Sequence, residues 1–191
     1  YNDEIRESIY KKKSVFLKRL RKNIVNDITV TAETFIQDEY AILKPYFKNA
    51  IVLDIGAYIG DSSIKFTLAG AKQVYAYEPH PELYNLALKN IELNNLGVKI
   101  MLNNLGVSDK QANIKIKEDS YLGASGVFGS SNYQKCKDVE VSLLSFDSII
   151  REKGDIDVMK MDCEGAEFKA ILSCPVEILR KIRVMLIEYH D

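Results

Sequence analysis

The stretch Ile51-Val52-Leu53-Asp54-Ile55-Gly56-Ala57-Tyr58-Ile59-Gly60-Asp61-Ser62-Ser63 decides how this chain is read. "IVLDI" is a short apolar run closed by glycine, the signature of a buried strand. Ser62 to about Leu68 reads as a helix that stops near Gly70. Between them lies a loop with two glycines, and a carboxylate, Asp54, precedes the first by two positions. In an open parallel sheet, ligands sit outside the carboxyl ends of the strands, where strand order reverses. A loop at that place must come close to its ligand. Glycine lacks the Cβ that would block the approach, and it tolerates positive φ. Gly56 is expected to make the tight turn, and Gly60 to let the next helix pack close to strand and ligand.

The same alternation continues downstream. "QVYAYEP" (73–79) is a second strand ended by Pro79, and "PELYNLALKNIELNN" (81–95) is a helix with Leu83, Leu86, Ala87, Ile91 and Leu93 near one face. "VKIMLNN" (98–104) is a third strand. Strands alternating with helices imply right-handed βαβ units and a parallel sheet. In the middle, "NIKIKE" (113–118) and "KDVEVSLL" (137–144) alternate apolar and charged residues, as half-exposed paired strands do. The Gly/Ser-rich segment Gly123–Ser131 between them reads as a loop, and a lid over an acceptor is its expected role. "SFDSIIRE" is a short helix, "IDVMKMD" (156–162) a strand, "EFKAILS" a helix and "IRVMLIEYHD" (182–191) a last strand. The predicted class is α/β, with a central, mostly parallel sheet flanked by helices.

Upstream, residues 1–48 read as an N-terminal helical extension to a ligand-binding domain over 49–191. Ile5, Ile9, Phe16, Leu20 and Ile24 recur at helical spacing, and a second helix is expected from Ala32 to Phe47, with Pro45 near its end. Lys11, Lys12, Lys13, Lys18, Arg19, Arg21 and Lys22 make the segment basic. Acidic flanks favour a solvated helix face over contact with an anionic surface. The 191 residues are 47% hydrophobic and 28% charged, with net charge −1, which suits a soluble globular protein and gives no global attraction to nucleic acid. No apolar run approaches a membrane span, and no signal-peptide pattern is present. Cys136, Cys163 and Cys174 are odd in number and lack a CxxC pairing, so free thiols in a reducing cytoplasm are expected. The chain begins at Tyr1 and stops at Asp191, and residues are expected to be missing at both ends.

The glycine spacing separates two ligand classes. Dinucleotides favour G-x-G-x-x-G, where close glycines admit a pyrophosphate to a helix N-terminus. Here the pattern is Asp-x-Gly-x-x-x-Gly. A carboxylate repels a pyrophosphate but attracts a ligand carrying an ammonium and a sulfonium, as S-adenosyl-L-methionine (SAM) does. Asp54 can reach the methionine amino group directly or through water. Glu78, at the end of the second strand, is placed to accept hydrogen bonds from both ribose hydroxyls, a role that suits SAM or NAD and disfavours NADP. Asn103 and Asn104 end the third strand, where an adenine amino group is read or a turn is made. His80, in "EPHPE", reads as an exposed turn residue or an adenine-side contact. A phosphate-binding Walker loop is absent.

These segments, taken together, resemble a known family. "VLDIGAYIGDSS" (52–63), "VYAYEPHPELYNLALKNIELNN" (74–95), "GVSDKQANIKI" (106–116), "IDVMKMDCEGAEFKAIL" (156–172) and "VMLIEYH" (184–190) occur in order and are similar to the FkbM family of SAM-dependent methyltransferases. The resemblance covers roughly Ile51 to Asp191, and Asp162 to Glu167 is its most specific part. It implies a Rossmann-like class I methyltransferase fold and, from members with assigned roles, O-methylation. The family often has Asn where this chain has Tyr58. The class I fold usually ends in a strand hairpin after its fifth strand, and this chain stops before it.

O-methylation needs a bound donor, an aligned acceptor and a destination for the acceptor's proton. The acceptor, a small-molecule or sugar hydroxyl, is expected past the ends of the fourth and fifth strands. Asp162, Glu164 and His190 are the catalytic candidates, with His190 the base because its ordinary pKa is near neutral. Asp54, Gly56, Gly60, Glu78 and Asn104 are the cofactor-binding candidates. Asp162, Glu188 and Asp191 offer hard oxygens to Mg²⁺, but no dedicated spacing marks a metal site. Glu167 is explained by a helix start, where a carboxylate favours the dipole. The competing readings are an NAD-binding Rossmann oxidoreductase, a non-catalytic SAM-binding module and an anionic-surface binder.

Overall fold

The computed structural model describes residues 33–38, 40–117 and 138–188. The predicted first helix, the basic run, Cys136, the Gly123–Ser131 loop, His190 and Asp191 lie outside the described residues. Strands β1 (Ile51–Ile55), β2 (Gln73–Tyr77), β3 (Ile100–Asn103), β7 (Ile156–Met161) and β8 (Ile182–Ile187) form one sheet in the order β3-β2-β1-β7-β8. Every neighbouring pair is parallel. Strand order therefore reverses at β1, whose two neighbours are β2 and β7. Helices α1 (Asp61–Leu68) and α2 (Pro81–Leu93) connect β1 to β2 and β2 to β3. Helices α3 (Phe146–Lys153), α4 (Glu167–Ser173) and α5 (Val176–Leu179) serve β7 and β8.

Alternation along the buried strands builds two cores. Val52, Val74, Ala76, Ile100 and Val158 face one side, against Ile64 and Phe66 of α1 and Ile91 of α2. Leu53, Ile55, Tyr77, Met159 and Met161 face the other, against Phe146, Ile149 and Ile150 of α3 and Ala170 of α4. Each fully buried aliphatic side chain of this kind contributes about 1.5–3 kcal/mol. With both faces covered, the buried positions of these strands are apolar apart from two, Asp54 and Lys160, which face each other in the β1–β7 register.

A second, small sheet has the order β4-β6-β5, from β4 (Gly106–Ser108), β5 (Ala112–Lys117) and β6 (Asp138–Ser145). The expected pairing of the two alternating segments is present, antiparallel, from Ala112↔Leu143 to Lys117↔Asp138. Strand β4 and helix α5 were not legible, because three or four residues are too few to display a period.

Residues 33–47 correct the sequence reading. A single helix from Ala32 to Phe47 is not what forms: a π-helical turn spans Glu33–Gln37 and a 3₁₀ helix spans Ala41–Tyr46. Asp38, at φ 57°, breaks the two apart. Its carboxylate is held by Lys44 and by Lys65 of α1 at 2.9 Å. Tyr40, Leu43 and Phe47 of this segment are buried in the first core. Tyr40 packs edge-on and Phe47 stacks against Phe66, both at 4.9 Å. Among the described residues, no helix is long and apolar enough to cross a membrane.

Candidate functional site

The turn after β1 is shaped by its neighbours. Gly56 has φ +79°, and a Cβ there would stand 1.7 Å from the carbonyl oxygen of Asp162. The glycine is therefore required by the backbone leaving β7. Gly60, also left-handed at φ +82°, would bring a Cβ to 3.2 Å from the Cβ of Ala87, so its close contact is with α2. Tyr58 lies in the same region at φ 48°, a conformation Asn adopts more readily than Tyr. The loop amides are committed internally. Gly56 N and Ala57 N both donate to Tyr77 O at 3.0 Å, Gly60 N donates to Ala57 O at 2.7 Å, and Tyr58 N donates to Glu78 Oε2 at 2.9 Å. Such a loop offers carboxylates to a ligand in place of a row of N–H groups.

Asp54 is fully buried. Its Oδ2 accepts from Ser62 Oγ at 2.7 Å and from Ser63 Oγ, the first turn of α1. Its Oδ1 has no hydrogen-bond partner among the described residues. The nearest cation to it is Lys160 Nζ, at 3.9 Å. That ammonium donates to Gly56 O at 2.7 Å and lies 3.2 Å from Asp162 Oδ2. Burial pushes the Asp54 carboxyl up, while Lys160, Ser63 and Ser62 oppose the rise. Burial disfavours the Lys160 charge, but Asp162, Asp54 and Asp61 outweigh it and hold the ammonium above the ordinary lysine range. Asp61 completes the cluster: burial raises it to about 6, and Thr34 donates to its Oδ2 from the upstream segment.

Glu78 is buried at the end of β2 and accepts from His80 N at 2.8 Å as well as from Tyr58 N. Burial pushes it up to about 8 against those two bonds. Both oxygens retain further lone pairs, so backbone bonding does not exhaust the carboxylate. His80 is a correction: it is fully buried, not exposed. It caps α2, with Nδ1 accepting from Glu82 N at 3.3 Å. A short polar side chain before Pro81 at the first helical position is the sequence signal for such a cap. Asn104 Nδ2 donates to the carbonyls of Glu78 and Pro79, both at 3.0 Å, and ties the ends of β2 and β3 together. This leaves the acceptor Oδ1, the polarity that an adenine amino group needs. Asn103 donates to Ala76 O and Met101 O and serves the strand.

The Asp162–Glu167 run is one turn. Glu164 (φ 56°) and Gly165 (φ 99°) are both left-handed. Glu167, buried at the start of α4, reaches back to accept from Cys163 N at 2.8 Å and Gly165 N at 2.9 Å. Its role is to hold the turn, beyond the dipole effect expected of it. The Cys163 thiol is pushed far up by burial and Glu167, which disfavours its thiolate. Two cavities flank this turn. One of about 370 Å³ runs from Gly56 and Pro79 beneath the small sheet, past Ile114, Val141 and Leu143, to Ala166. A smaller one of about 120 Å³ is lined by Tyr40, Lys160, Asp162 and Glu188.

Asp54, Gly56, Glu78 and Asp162 thus converge on one strand-end cluster, with Asn104 joined to Glu78. Gly60 caps α1 and packs against Ala87 of α2. Sequence reasoning missed Lys160, Ser62, Ser63 and Thr34. A lysine within the buried run Val158–Met161, at the register position facing Asp54, was the available signal.

Comparison with known proteins adds the family. The family model for the methyltransferase FkbM domain matches residues 54–191. Among solved structures, an FkbM methyltransferase from Methylobacillus flagellatus KT is similar at 21% identity and TM-score 0.44, over 65% of this chain and 28% of that one. A precorrin-8w decarboxylase from Methanobacterium thermoautotrophicum is similar at 13% identity and TM-score 0.49, over 82% of this chain and 62% of that one. A protein arginine methyltransferase 10 from Arabidopsis thaliana gives 19% identity and TM-score 0.41, over 68% and 27%. The matches span less than two thirds of each of these chains. A search among curated proteins finds no match.

Proposed function

The chain belongs to the FkbM family of methyltransferases, and from that premise we propose that it transfers a methyl group from SAM to a hydroxyl of a small molecule or sugar. Family membership implies SAM as the cofactor. The observation that carries the site assignment is the commitment of the glycine-loop amides to β2 and to the loop itself, beside a buried acceptor with no hydrogen-bond partner, Asp54 Oδ1. A pyrophosphate needs those amides, whereas an ammonium needs the carboxylate. This favours SAM over NAD.

In this reading Asp54 receives the donor's ammonium, Glu78 accepts from its ribose hydroxyls and Asn104 Oδ1 accepts from its adenine amino group. The cavity from Gly56 and Pro79 takes the apolar base. When bound, SAM supplies an electrophilic methyl on a sulfonium. The acceptor hydroxyl enters at the smaller cavity, beside Asp162 and Glu188, where Asp162 orients it. His190 takes its proton as general base, with Glu164, in the same turn as Asp162, as a further catalytic candidate. Alignment at that edge is the main contribution asked of the protein. Transfer of tritiated methyl from SAM to a panel of hydroxylated small molecules and sugars tests this. Labelled product that is lost in His190→Ala while SAM affinity is kept supports O-methylation with this base. Label found only on nitrogen or carbon acceptors contradicts it.

A further inference from the structure

Lys160 stands where an apolar residue belongs. It is buried in β7 and directs Nζ at three groups: the Gly56 carbonyl at 2.7 Å, Asp162 at 3.2 Å and Asp54 at 3.9 Å. An unpaired ammonium would not be retained at such a depth, and an apolar side chain packs a parallel strand without that cost. The contacts cross two strands. They join the donor turn after β1 to the acceptor-side carboxylate after β7, and they touch neither of the core clusters.

We propose that Lys160 is a positioning residue for methyl transfer: its ammonium fixes the Gly56 turn against Asp162 and keeps Asp54 an anion, able to receive the donor's ammonium. The inference rests on the donor-site reading above. Two opposed effects decide its sign. Lys160 repels an incoming ammonium, so its removal strengthens donor binding if Asp54 stays ionised. Asp54 is fully buried, with Asp61 and Asp162 close by, and a carboxylate so placed takes a proton once its cation is gone. The second effect dominates, and removal weakens binding. The charged or titratable groups around the ammonium are Asp54 from β1, Asp61 from α1, Glu78 after β2, Asp162 and Cys163 after β7, Glu188 after β8, and Tyr40 from the upstream segment.

The test compares two neutral-sulfur probes, S-adenosylhomocysteine and 5′-methylthioadenosine, which differ in the amino-acid end alone. Both carry the ribose and the base, so any contribution of Glu78 cancels in their ratio. In Lys160→Gln, calorimetry should give about a tenfold or greater loss of S-adenosylhomocysteine affinity at neutral pH. Methylthioadenosine should stay near its wild-type affinity, and the loss should shrink as pH rises and Asp54 regains its charge. Equal loss of both probes, no loss, or tighter binding of S-adenosylhomocysteine would overturn the assignment alone. Wild-type protein that binds neither probe would overturn the donor reading and this assignment with it. Should the variant not fold, the wild-type Lys160 ¹⁵Nζ resonance decides. An ammonium signal that moves with S-adenosylhomocysteine and stays with methylthioadenosine supports the role; a neutral amine, or equal shifts with both, overturns it.

Discussion

At the scale of single residues, the glycines and buried carboxylates make opposite demands. Gly56 is needed twice, for its left-handed φ and for its 1.7 Å approach to a backbone oxygen that cannot move aside. Gly60 meets a side chain at 3.2 Å, which can yield. Gly56→Ala should therefore cost more stability, about 3 kcal/mol or above, than Gly60→Ala at about 1–2 kcal/mol. Urea unfolding of the two variants checks the order. Glu78 gives a pH signature. Its native pKa of about 8 lies above its ordinary 4.5, so the native state holds that proton more tightly. The resulting stability is full at acid pH and is lost as pH rises through about 8. Glu78→Gln has no such proton, so its stability relative to wild type should climb steadily between pH 5 and pH 8. A pH-independent difference between the two would contradict the burial argument.

At the scale of elements, the strands and most helices were legible because each has a period or a cap that the sequence displays. "IVLDI", "QVYAY" and "IDVMKM" are predominantly apolar runs, since both faces of the parallel sheet are covered. The segment 33–47 was not legible as it forms. Its helical pattern is broken by Asp38, a left-handed residue whose carboxylate is held by Lys44 and by the more distant Lys65. The site was half legible. Asp54, Gly56 and Glu78 stand at strand ends that a reader can locate, but Lys160 acquires meaning only through the register that sets it beside Asp54. Two predictions belong here. Tyr40→Ala removes the edge contact with Phe66 and should cost about 3 kcal/mol, read as a lowered Tm. Glu167→Ala strips the acceptor from Cys163 N and Gly165 N and should speed amide exchange in residues 163–166, leaving β1 and β2 protected.

For the whole molecule, the arrangement places one buried charge cluster where strand order reverses, between an apolar cavity under the small sheet and a smaller polar one toward β8. That division fits the proposed transfer, with the adenine of the donor in the apolar cavity, its charged end at the cluster and the acceptor at the smaller cavity. The turn after β1 is proposed to recognise a cationic ligand through Asp54, because the amides of Gly56, Ala57, Tyr58 and Gly60 are already bonded. Parallel calorimetric titrations of the wild-type chain with SAM and with NAD test it most directly. SAM should bind saturably in the micromolar range, at least tenfold more weakly in Asp54→Asn, and NAD should show no measurable binding. Micromolar NAD binding without SAM binding would contradict it.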